Sequence, residues 1–105
     1  MRYNFVLDER LGIRLPRLIL EWEEYTADER NDILLIWEEI RAKIPDRVIA
    51  LEAIINRKQI QLSREENFNM CCYLNLEIAE LASIINDLNI WFRVQQDFEP
   101  DKIHG

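Results

Sequence analysis

Between residues 13 and 104 this chain contains no glycine: its two glycines are Gly12 and Gly105, and its three prolines are Pro16, Pro45 and Pro100. A multi-stranded sheet needs turn signals about every 8–12 residues, built largely from Gly, Asn or Asp, whereas helices run long without them. The distribution predicts an all-α fold. It also excludes a Gly-rich phosphate loop or a dinucleotide fingerprint, because there are no internal glycines to build one. A chain of 105 residues, 49% of them apolar, has the size of a single domain and enough apolar side chains for a core, with little surface-to-volume margin. The expected architecture is an elongated helical hairpin or three- to four-helix bundle over residues 15–97, preceded by an arm (1–14) and followed by a flexible tail (98–105), dimerising through the long C-terminal helix.

Tyr3, Phe5 and Leu7 alternate as in a short strand and Gly12 suggests a turn, so the arm is expected to fold onto the bundle. Pro16 suits the first turn of a helix, and Leu15, Leu18, Trp22 and Tyr25 then share a face; this predicts a first helix over 16–25. Thr26-Ala-Asp-Glu29 reads as a capping box that starts a second helix near 27. Its apolar stripe, Ile33, Trp37, Ile40, Ile44, Val48, Leu51, Ile55 and Leu62, keeps helical phase through Pro45, which either kinks one helix or opens a new one. Ser63-Arg-Glu-Glu66 reads as a second capping box, opening a last helix over about 64–97. At 1.5 Å per residue such a helix is roughly 50 Å long.

On that last helix Cys71, Leu74, Ile78, Leu81, Ile85, Leu88 and Phe92 form the core stripe. Cys72, Leu76, Ala79, Ile90 and Val94 form a second stripe on the opposite side, bordered by Asn75, Asn86, Asn89 and Arg93. One helical partner cannot cover both: either the first helix covers the second stripe within the monomer or, as the length of the last helix favours, the stripe together with Asn86 is a homodimer interface. The asparagines face solvent or backbone groups, or one or two of them, Asn86 or Asn89, fix register. Asn is a poor helix former, and Asn67 and Asn69 extend the set.

The chain carries 20 acidic against 13 basic residues, a net charge of −7. The first twenty residues hold four Arg and two acids, so the excess lies in residues 21–105. Such a charge opposes direct nucleic-acid binding, which depends on Lys and Arg displacing counterions. No run approaches the roughly 18 consecutive apolar residues of a membrane span, and Asp8 and Glu9 interrupt any secretory signal. Adjacent Cys71 and Cys72 in one helix have diverging Cβ vectors and are expected to stay reduced. The expected location is cytoplasmic.

Candidate chemistry is sparse. Glu77 and Glu80, at i and i+3, could share a metal ion, while Asp87 lies two turns on, about 10 Å away. All-helical nucleotide pyrophosphohydrolases hold Mg²⁺ with carboxylates on facing helices, but here Glu38-Glu39 is followed by Arg41 and lacks a further acid one turn on. The only histidine, His104, stands outside any predicted helix, which leaves nucleophilic catalysis without a base. Two thiols without further Cys or nearby His complete no zinc set. Trp22 and Trp37 each precede paired acids in similar five-residue stretches, and with Trp91 they would be partner-docking anchors if exposed. The expectation is a non-enzymatic protein–protein interaction or regulatory protein without cofactor, with an unidentified protein partner. The alternatives are a Mg-dependent pyrophosphohydrolase-like enzyme and an acidic nucleic-acid mimic that binds a basic protein.

Overall fold

The computed structural model describes residues 2–94; the expected end of the last helix at 95–97, the tail and His104 lie outside the described residues. The chain opens with a β-hairpin. Strands β1 (Tyr3–Asp8) and β2 (Ile13–Leu18) pair antiparallel, with Tyr3 opposite Leu18 and Asp8 opposite Ile13. The Asp8 carbonyl accepts from the Gly12 amide at 2.8 Å and its carboxylate accepts from the Leu11 amide at 2.9 Å. Gly12, at φ +76°, supplies the left-handed residue that the four-residue turn requires.

The all-α expectation is therefore wrong, as is the helix over 16–25: Leu15, Pro16 and Leu18 are strand residues, and only Trp22–Glu24 forms a short 3₁₀ turn. One hairpin needs one glycine, so glycine scarcity excluded large sheets without excluding this one. Proline is tolerated in an edge strand whose N–H would point to solvent, and both strands of a two-stranded ribbon are edges.

Tyr25 ties the open end of the hairpin. Its buried hydroxyl accepts from the amides of Ile19 (2.9 Å) and Leu20 (3.1 Å) and donates to the Arg2 carbonyl (2.9 Å). One donor and two acceptor sites are all a phenol has, so every one is used. Tyr3 packs edge-on against Tyr25 at 6.0 Å and donates to Asp32 at 2.6 Å.

That hydrogen bond pushes the Tyr3 phenol up to about 12, since ionisation would set two anions against each other. A raised phenol pKa means that the neutral, folded form is favoured below the ordinary value near 10, and that this contribution is lost as pH rises from there through about 12. Ultraviolet titration should find one tyrosine ionising near 12, and Asp32→Asn should bring it back toward the ordinary range. No late-titrating tyrosine in the native protein would contradict the Tyr3–Asp32 bond.

The Thr26 capping box forms as read: the Thr26 hydroxyl accepts from the Glu29 amide and the Glu29 carboxylate from the Thr26 amide, which starts α1 (Ala27–Arg41). Arg2 also bonds Glu29 and holds its carboxyl below the usual range. At Ala42 and Lys43 the backbone stays in the right-handed helical region, and α2 (Ile44–Arg64) follows with Pro45 in its first turn. The Lys43 amide reaches back only to Ile40, in the tighter 3₁₀ pattern. Together α1 and α2 make one long bent helix, so both readings of Pro45 hold in part.

The second expected capping box does not form. The Ser63 hydroxyl donates to the Ile60 carbonyl while α2 runs on to Arg64. Glu65 and Asn67 are extended, and the Asn67 side chain accepts from the Met70 amide to cap α3 (Phe68–Phe92). The three-residue link folds α3 back along α2. Two helical bodies plus a hairpin replace the expected three- to four-helix bundle.

The core lies at one end of this arrangement, where Leu11 and Ile13 of the hairpin meet Trp37 and Ile40 of α1, Ile44 and Leu51 of α2, and Ile84 and Leu88 of α3. Beyond it the α2–α3 pair projects without a third layer among the described residues. The envelope measures 60 × 30 × 19 Å and the radius of gyration is 18.3 Å, against about 13 Å for a globular chain of 100 residues.

Candidate interaction surface

α3 is apolar on two sides, and the fold covers one of them. Leu74 and Leu88 are buried, and Leu81, Ile85 and Phe92 pack partly against the core, as the first stripe predicts, while Ile84, outside that stripe, is buried as well. On the other side Cys72, Leu76, Ala79, Asn86 and Ile90 are all exposed, Leu76 by 70% and Ile90 by 54%. Phe68, 77% exposed, extends the face toward the link. Val94 departs from the expected stripe: it lies beyond the end of α3 and packs against the core. Asn75 and Asn89 are exposed as well.

One flank of this face is closed by the hairpin tip. Leu11, 3% exposed, inserts into the core, and the neighbouring Arg10 lays its guanidinium along α3. Its Nε donates to Glu80 at 2.9 Å, one terminal nitrogen donates to Asp87 at 2.7 Å and the other to the Ser83 hydroxyl at 2.7 Å. Three acceptors spaced three and four residues apart on one helix line up for one planar cation. Lys58 of α2 pairs with Glu77 at 3.1 Å. The two carboxylates expected to share a metal therefore point to different cations, Glu77 to Lys58 and Glu80 to Arg10. Among the described residues no group of three or more His, Cys, Asp or Glu is placed to hold a metal ion.

The tryptophans divide by position. Trp37 is fully buried and meets Trp91 edge-on at 5.8 Å, so it presents nothing to a partner. Trp91 is half-buried against it, and Trp22 is half-buried beside Tyr25, with ring centroids 6.4 Å apart. Cys71 and Cys72 are free thiols; Cys71 donates weakly to the Glu65 carbonyl and Cys72 is exposed.

The hairpin clamp is the feature that sequence reasoning missed. Asp8 and Gly12 bracketing a four-residue turn, with alternation before (Tyr3, Phe5, Leu7) and after (Ile13, Leu15), was the available signal. Arg10 belongs to the basic N-terminal stretch, and its acidic counterpart is α3 of the same chain. The chain matches no protein-family model, no curated protein and no solved structure.

Proposed function

We propose that this chain is a non-enzymatic protein–protein interaction module that pairs with a second copy of itself through the outer face of α3. The observation that carries the reading is the exposed stripe of Cys72, Leu76, Ala79 and Ile90 on a helix whose opposite side is already packed. Large apolar side chains left in water at this density mark contact surfaces.

The stripe is compatible with a second copy as the occupant. The protein carries −7 overall, which opposes pairing through charged surface, but none of the stripe residues is charged. The acids that border it, Glu80 and Asp87, are each held by Arg10. The spacing is also self-complementary under a two-fold axis. With the axis at position 83 of an antiparallel helix pair, Leu76 falls opposite the partner's Ile90, and small Ala79 leaves room for the approach of the second helix.

By length and composition α3 is apolar enough to cross a membrane. It carries Glu77, Glu80 and Asp87, however, and an ionised carboxylate resists transfer to hydrocarbon. Insertion would also strip away its core partners, which favours a protein surface over lipid.

Leu76→Glu combined with Ile90→Glu tests the reading by sedimentation. Both side chains are exposed, so the fold should survive. Burying unpaired carboxylates costs well over 1.4 kcal/mol, so self-association should weaken by at least about tenfold. Unchanged association would refute the assignment of the face.

A further inference from the structure

We infer that the cleft between the hairpin and the bend of the long helix is a binding site for an organic phosphate, meaning a small molecule that carries a dianionic phosphoryl group. The cleft has a volume of about 330 Å³, within the range of small-ligand sites, about 300–1,000 Å³. It contains no residue of α3, so it stands apart from the proposed self-association face.

Three cations line it. Lys43 and Arg47 stand one turn apart across the start of α2, and Arg14 comes from β2, where it pairs across the hairpin with Leu7. The side chains of Arg14 and Lys43 make no hydrogen bond or ion pair with the described residues, whereas those of Arg2, Arg10, Arg41 and Lys58 are each tied to an acid. Arg47 is held by its backbone side: Nε donates to the Leu11 carbonyl at 3.2 Å, and the guanidinium lies so close to Gly12 that a Cβ there would fall 2.9 Å from Nε. Its terminal nitrogens keep their donors, and the turn fixes the group in place before any ligand arrives. Gly12 thus serves the turn and the approach of Arg47 together.

The charge count selects the ligand. Three cations and the single acid Glu39 leave the cleft at +2 in a protein of −7. A concave site of one sign inside an opposite surface focuses the field on its own counter-ion. A carboxylate offers one negative charge in one plane and fills a single guanidinium fork; a tetrahedral phosphoryl dianion matches the +2 and accepts from several directions at once. The remaining lining is apolar Leu7, Ile13 and Ile40, with Glu39 as an acceptor for a hydroxyl or amino group. That combination fits the body of a nucleotide or a phosphorylated sugar better than free orthophosphate.

The test is an amide chemical-shift titration of the full chain at low ionic strength, with AMP, ribose 5-phosphate, orthophosphate and acetate as probes. AMP or ribose 5-phosphate should shift the amides of Gly12, Arg14 and residues 39–47 at saturating concentration, more tightly than orthophosphate, while acetate does nothing. Arg14→Gln and Lys43→Gln, both exposed and unpaired in the fold, should each weaken binding by about tenfold. Arg57→Gln, an exposed cation on α2 outside the cleft, should leave it unchanged. No response to either phosphate ester, an equal response to acetate, or binding unaffected by both cleft variants would overturn the site. None of these outcomes depends on whether the chain self-associates.

Discussion

Trp37→Ala should remove about 3–5 kcal/mol of stability, the range for truncating a buried aromatic residue to alanine. Trp37 is 0% exposed and belongs to the core cluster that joins the hairpin to α1, α2 and α3, with Trp91 edge-on against it. A domain of this size holds only about 5–15 kcal/mol in total. Each kcal/mol is worth roughly 4–8 °C in Tm, so the melting transition should fall by more than about 12 °C or vanish. Trp37→Phe should cost far less. It keeps an aromatic ring against Trp91 and removes an indole N–H that finds no acceptor among the described residues, a group whose burial is unfavourable. Comparable losses in the two variants would mean that the indole itself, and not the filling of the core by an aromatic ring, governs the site.

Leu11→Ala should be the most damaging change outside the helices, about 2–5 kcal/mol by the range for buried leucine. Leu11 is a turn residue, yet it is 3% exposed because it joins the core cluster that also holds Ile44 of α2 and Ile84 and Leu88 of α3. Its loss frees the tip, and with it Arg10, from Glu80, Ser83 and Asp87. Hydrogen exchange should then rise through both strands while the α2–α3 amides stay protected. Arg10→Ala, which removes exposed, solvent-screened ion pairs and leaves the plug, should destabilise far less than Leu11→Ala. It should nevertheless weaken self-association, because Glu80 and Asp87 would border the stripe without their cation. A Leu11→Ala variant as stable as the parent would contradict docking of the hairpin through its tip.

The helical body was readable wherever the decisive interaction is local. The Thr26 box joins residues three apart, and the stripe from Ile33 to Leu51 reports a face that any packing would have to bury. The failures lie where two local solutions compete and a distant contact decides. Ser63 and Asn67 are both good cap residues, but only an α2 that runs on to Arg64 places the link where α3 can fold back, so Asn67 caps. Tyr3 to Leu18 could be read as arm plus helix because its strand pairing is supported from outside, by the Tyr25 hydroxyl at one end and Leu11 in the core at the other. The candidate surface followed the same division. Exposure of Leu76 and Ile90 follows from helical phase alone, whereas the engagement of Glu77 with Lys58 and of Glu80 with Arg10 depends on which elements lie alongside.

The elongated shape and the uncovered side of α3 converge on one quantity, the mass of the protein in solution. Light scattering across the micromolar range should give about 25 kDa, twice the 12.7 kDa of the chain, falling toward the single-chain value for Leu76→Glu with Ile90→Glu. A mass of 12.7 kDa for the unaltered protein throughout that range would contradict self-association through α3.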